Sequence, residues 1–241
     1  MCTVSWLHHE QGYELFCNRD EKRTRAPALG PEIHTQNGVR FIAPTDGARG
    51  GAWIGTNQFG FSVCLLNGDP RREEPGRSYT SRGLLLPRLL AESSIAGAGE
   101  RVWQSDLSPF APFTLAILGP GRQTCLFQWN GQEKIMLPRG DRQLPLVSSS
   151  FDPEGVRSKR HGEFHRWLGA AGEVDSSVLL AFHGSHAGTP DAYSPCMHRP
   201  DAETVSFSWV TVTGAEVRFF YSPGAPCRRR PGELRRLPLA G

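Results

Sequence analysis

Cys2 is the residue whose position could do the most chemistry. A small side chain in second place permits removal of Met1, which would leave a thiol and a free α-amine on one residue. The thiolate is the nucleophile, and an α-amine, titrating near pH ~8 in model peptides, can take up its proton. A Met-Cys start also arises by chance, so the dipeptide alone is compatible with an incidental thiol. Arg19 and Asp20 extend the constellation. Residues 3–7 and 13–17 are apolar-rich runs separated by a polar turn, the pattern of a β-hairpin. Such a hairpin returns Arg19 and Asp20 to the neighbourhood of Cys2. A guanidinium there favours the thiolate, and a carboxylate can hold or orient the amine. The alternative is that Arg19-Asp20-Glu21-Lys22-Arg23 is a charged hairpin end that only keeps the chain solvated.

His183, His186 and His198 gather around one loop with Asp191 and Cys196, but their spacing matches no familiar ligand set, so no metal is expected. His8-His9 reads as a solvated hairpin tip. No G-x-S-x-G supports a serine hydrolase, and residues 47–55 lack the P-loop pattern. Their glycines more plausibly let the backbone pass close to the N-terminal site. Asn67-Gly68-Asp69-Pro70 is a turn signal in its own right. The six cysteines are irregularly spaced with no C-x-x-C pair, which argues against a zinc ribbon or a disulfide framework and for small reduced core residues.

The elements that must position these residues are mostly strands. Runs at 39–43, 53–56, 60–66, 113–118, 124–130, 133–137, 146–150, 204–213 and 216–221 read as strands, with hairpin turns at Asn57-Gln58-Phe59, Asn130-Gly131 and Gly214-Ala215. Residues 78–92 have helical leucine spacing interrupted by Pro87, and 156–168 and 176–182 are helix candidates. Residues 18–30, 69–77 and 183–195 read as loops. The order of strands, helices, strands, helices, strands is α+β rather than alternating βαβ, and suits two stacked antiparallel sheets with helices outside. No repeat or clear linker divides the chain. One domain over 1–226 and a basic, Pro-punctuated tail over 227–241 are expected, the tail as a solvated end.

Met1-Cys2-Thr3 followed by Asn18-Arg19-Asp20-Glu21 resembles the pattern that names the NRDE family, which includes the transport and Golgi organisation proteins. Gly50-Gly51-Ala52-Trp53-Ile54-Gly55 is similar to that family's Gly-Gly-Thr-Trp-Leu-Gly stretch, and residues 61–67 resemble its following strand, which ends in Asn. The opening and the Arg/Asp pair also resemble the choloylglycine hydrolases and related acyltransferases, cysteine N-terminal-nucleophile (Ntn) hydrolases. The resemblance is specific over the first 70 or so residues. It implies a four-layer αββα sandwich, Cys2 as nucleophile flanked by Arg19 and Asp20, and Asn67 as an oxyanion-hole amide. It also implies substrate contacts from Ser149, standing where the relatives have Asn, and from Arg199, in a stretch that only faintly echoes the family's. The implied activity is hydrolysis or acyl transfer on a linear amide through a Cys2 thioester, with no cofactor. The alternative it leaves is a non-catalytic carrier for an apolar small molecule.

Composition bounds the partners. The chain has 241 residues, with 27 basic against 24 acidic side chains, a net charge of +3 that gives no ground for nucleic-acid binding. No signal-like apolar segment follows Met1 and no run reaches the ~20 apolar residues of a membrane span, so a cytoplasmic protein with a small-molecule amide or acyl substrate is expected. Oligomeric state is not legible.

Overall fold

The structure, a computed structural model, describes residues 2–137, 140–186, 188–228 and 230–240. The strands in chain order are β1 (Cys2–His9), β2 (Gly12–Lys22), β3 (Leu29–Gln36), β4 (Val39–Thr45), β5 (Ile54–Asn57), β6 (Ser62–Asn67), β7 (Phe113–Gly119), β8 (Gln123–Trp129), β9 (Lys134–Leu137), β10 (Leu146–Ser148), β11 (Ala202–Val212), β12 (Glu216–Pro223) and β13 (Glu233–Pro238). The helices are α1 (Leu85–Leu90), α2 (Ile95–Gln104), α3 (Pro153–Ala170) and α4 (Ser176–His183).

Two antiparallel sheets result. One has the order β10-β1-β2-β11-β12-β13 and the other runs β3 to β9 in sequence. The first places the chain start inside the sheet, one strand from its edge, because β1 is flanked by β2 and by the late strand β10. Period-two alternation then decides what each residue faces. Val4, Trp6, Tyr13, Leu15 and Cys17 turn inward to a core shared with Ile54, Cys64 and Leu66 of the second sheet. Phe16 turns outward to meet Phe164, Phe182 and Phe207 beneath α3 and α4. The outer face of the second sheet is covered by Leu86, Leu89, Leu90 and Val102 from α1 and α2. The layers are therefore helix, sheet, sheet, helix, and the fold is α+β.

Local chemistry explains the helix limits. Asp152 caps α3 by accepting from the Gly155 N–H at 3.0 Å, with Pro153 in the first turn, where its missing N–H costs nothing. Asp175 caps α4 through the Ser177 and Val178 N–H groups. Pro87 sits in the first turn of α1, so it helps to start the helix there rather than breaking a longer one, and a 3-10 turn over Arg82–Leu84 precedes it.

Several elements differ from the sequence expectation. β2 does not stop at Cys17 but pairs through Lys22, since Asn18 and Asp20 are buried against the helical layer rather than solvated. β3 begins in the last two residues of the expected loop and continues through 31–36, where no element was expected; it is an edge strand carrying Pro31 with Leu29 and Ile33 exposed, so it lacks an alternating signature. α2 begins with Gly97 and Gly99 in its first turns, which weaken its helical signal. β13 occupies the segment set apart as a tail. It pairs with β12, and Leu237 is fully buried between the sheets.

Candidate active site

Cys2 opens β1 and stands in register with Arg19 of β2 on one side and Ser148 of β10 on the other. Its thiol is buried on the inner face, and its backbone N–H donates to Ser148 Oγ at 2.9 Å. Directly paired residues share a face, so Arg19 also points inward. Its guanidinium lies 4.3 Å from the centroid of the Trp53 ring, an attractive cation–π arrangement, and pairs with the Asp46 carboxylate. Asp46 organises this corner. It accepts from the Arg25 guanidinium at 2.9 and 3.0 Å and from the Ala48 and Arg49 N–H groups. Burial pushes the Asp46 carboxyl up, but the Arg25 hydrogen bonds and the Arg19 charge prevail and hold it below the usual range.

Asp20, one residue on, faces the other side of the sheet. Its carboxylate takes Arg160 Nη1 at 2.9 Å and the Thr204 hydroxyl at 2.6 Å, and Arg160 also donates to Thr3 Oγ1. The site is thus built on both faces of one hairpin: Cys2 and Arg19 toward the second sheet, Thr3 and Asp20 toward α3.

Above Cys2 and Arg19 the sheets part into a cleft of about 420 Å³. Trp53, Asn67 and Arg82 are among its walls, and Arg49 and Glu73 add charge at its margin. Gly51 and Gly83 let two backbones touch there; a Cβ on Gly51 would lie 2.5 Å from the Gly83 carbonyl carbon. Asn67 ends β6, exposed to the cleft, and its side-chain amide has no hydrogen-bond partner among the described residues.

This setting does not favour the thiolate. A hydrogen bond with Cys17 and then burial push the Cys2 thiol well above its ordinary value, while the positive charge at the chain start acts the other way. Cys17 in turn lies 4.0 Å, sulfur to sulfur, from Cys64 of the opposite sheet.

Cys2, Arg19, Asp20 and Asn67 all border the cleft by position, but the Asp20 carboxylate, expected beside the amine, is turned away to Arg160 and Thr204 on the other face of the sheet. Ser149 and Arg199 lie outside its lining. Ser149 is buried just after β10, where its hydroxyl accepts from the Phe151 N–H. Arg199 packs 4.6 Å above the Phe151 ring and pairs with Asp201. Four contributors were not singled out in the sequence: Ser148, Trp53, Asp46 and Arg160. Arg160 had a signal, because it falls on the same helical stripe as Val156, Glu163 and Phe164, a position that otherwise takes an apolar residue. The loop histidines separate. His183 is buried against Ser5, with Nε2 2.8 Å from the hydroxyl, whereas His186, Cys196 and His198 meet Cys227.

Two antiparallel sheets stacked between helical layers, with the first strand starting on the inner face, make this an α+β sandwich of the Ntn-hydrolase type. Among solved structures, a mutant of conjugated bile acid hydrolase from Clostridium perfringens is similar with a TM-score of 0.57 at 10% identity, over 99% of this chain and 92% of that one. The Caenorhabditis elegans N-acylethanolamine-hydrolyzing acid amidase (NAAA) ortholog is similar with a TM-score of 0.55 at 14% identity, over 89% of this chain and 93% of that one. At such identities the likeness establishes the fold. The chain belongs to the Transport and Golgi organisation 2 family, whose model matches residues 1–149. No curated protein matches. Among the described residues, no helix is long and apolar enough to cross a membrane.

Proposed function

We propose that this protein is a cytoplasmic N-terminal-cysteine amidohydrolase or acyltransferase acting on a small, polar, linear amide. The observation that carries this reading is the placement of Cys2. Its sulfur lies beside a polar cleft, with Arg19 in register on the same face and its backbone nitrogen held by Ser148 Oγ at 2.9 Å. Removal of Met1 converts that nitrogen into the α-amine. The amine then accepts the thiol proton, and the thiolate attacks the acyl carbon to form the C–S bond. The Asn67 amide faces the oxyanion, and collapse breaks the C–N bond as the ammonium returns its proton to the leaving amine. Water, deprotonated by the same amine, resolves the thioester and restores the thiol; an acceptor amine in place of water gives transfer. Arg19 stabilises the thiolate, and Ser148 positions the amine. Ser149 and Arg199 act, in this reading, on parts of a substrate that extends beyond the cleft.

The high thiol pKa in the Met1-bearing chain favours a second reading, a carrier in which the cleft holds an apolar guest. The charged walls of the cleft weigh against it. Intact mass of cell-derived protein before and after a brief iodoacetamide pulse separates the two. Loss of Met1 and fast single labelling at Cys2 are expected, with turnover of acyl amides abolished in Cys2→Ala. Retained Met1, or labelling at Cys2 no faster than at Cys125, would sink the enzyme reading.

A further inference from the structure

On the far side of the first sheet from the cleft, His186, Cys196, His198 and Cys227 offer four ligand atoms that all lie within 4.8 Å of one another. They come from two distant stretches: the loop that leaves α4, and the 3-10 turn Pro226–Arg228 that follows β12. His198 Nε2 is 3.7 Å from Cys196 Sγ and 3.4 Å from Cys227 Sγ. A tetrahedral ion with Zn–S near 2.3 Å and Zn–N near 2.0–2.1 Å separates a sulfur from a nitrogen by about 3.5 Å. The two His198–sulfur spacings found without any ion are therefore already those of a shared ion.

The second observation is His186 Nε2. It is buried and has no hydrogen-bond partner among the described residues, a costly state that a metal bond relieves. Its ring meets that of His198 edge-on, with centroids 5.1 Å apart. The donor set also selects the ion. Two thiolates and two imidazoles suit zinc and disfavour magnesium or calcium, which take oxygen ligands.

The loop is held in place independently of the ligands. The Asp191 carboxylate accepts from the Tyr193 and Ser194 N–H groups, the Cys196 N–H donates to Ser185 O at 3.0 Å, and Asn18 of β2 donates to His183 O and Pro195 O. Cys227 borders an open groove on this side, which gives an ion a way in.

We propose that His186, Cys196, His198 and Cys227 form a structural zinc site that fastens the loop after α4 to the turn after β12. Binding takes the ion from solvent, forms two Zn–S and two Zn–N bonds, and releases the two thiol protons to water. All four positions are filled by protein, so the ion stabilises rather than catalyses. It also reaches the back of the hairpin that carries Cys2, because the Met197 N–H, adjacent to Cys196, donates to Thr204 Oγ1, which donates to Asp20. The site is independent of Cys2 chemistry.

The test is metal content and cobalt(II) titration of the full chain, purified under reducing conditions. One equivalent of zinc per chain is expected as isolated. After chelation, Co²⁺ should give a thiolate-to-metal charge-transfer band and the intense visible bands of a tetrahedral site, and Zn²⁺ should abolish both. Cys227→Ser and His186→Gln should lose the stoichiometric ion, whereas Cys125→Ser should keep it. If the variants fail to fold, the cobalt spectrum of the unmutated chain decides alone. Absence of a charge-transfer band, or a Cys196–Cys227 disulfide recovered by non-reducing peptide mapping of protein made in cells, would overturn the proposal.

Discussion

At the level of single residues, Asp20 and Arg160 form the most deeply buried ion pair among the described residues. Both are buried, the carboxylate against the back of the hairpin that carries Cys2 and the guanidinium on α3. A buried pair contributes little net stability, but breaking it strands a charge in a low-dielectric place. Arg160→Met should therefore destabilise the protein by about 3–5 kcal/mol, seen as a lower urea midpoint with an unchanged m-value. The double variant with Asp20→Asn should lose less than the sum of the singles. Additive losses would mean that the two side chains do not depend on each other. Arg19 and Asp20 were legible as site candidates because a hairpin must return them to Cys2. Which face each takes follows from alternation, but the partner of Asp20 lies 140 positions away and no local pattern names it. Ser148 was hidden for a similar reason: β10 is only three residues long, and its register against β1 decides which of several adjacent serines meets the Cys2 nitrogen.

At the level of elements, legibility tracks how much of a strand is buried. β6 and β7, buried on both faces, announce themselves by apolar content, and β11, whose burial alternates, by period two. Edge strands do not, because their side chains answer mainly to solvent and to the neighbouring edge. β3 and β13 show this together. Arg235 of β13 pairs with Glu32 of β3, so the two edges close one side of the sandwich with charges on the outside and Leu237 within. The Arg-rich composition of this segment conceals a strand with one inward leucine. Leu237→Ala should cost about 2–5 kcal/mol, while Leu234→Ala, on the exposed face, should fall within about 0.5 kcal/mol of the parent. Chemical denaturation of the two variants side by side measures this. Equal small effects would make the segment the solvated tail that its composition suggests.

At the level of the whole molecule, the sandwich binds its two faces to different tasks. The inner face opens into the cleft, and the outer face is sealed by α3 and α4 over buried polar groups. His183 is among these, stacked near Phe16 and Phe207, with Ser5 as its hydrogen-bond partner and Arg160 adding positive charge nearby. Burial, reinforced by Arg160, pushes its imidazole from 6.5 down to about 3. The folded state thus keeps His183 neutral where the unfolded chain would protonate it. Its contribution to stability is fully present above pH 6.5 and is lost as pH falls toward 3, at about 1.4 kcal/mol per pH unit. His8 and His161 are lowered mainly by burial as well and act in the same direction, so they leave a slope of their own. Asp46 adds its loss only at lower pH, as its carboxylate titrates below the usual carboxylate range. His183→Gln should therefore flatten the acid limb by one proton without removing it. Urea midpoints taken from neutral pH down to about 4 read the difference as a slope. If the parent and the variant decline in parallel, His183 is already protonated in the folded protein, and Ser5 and Arg160 must then move apart from it to admit the charge.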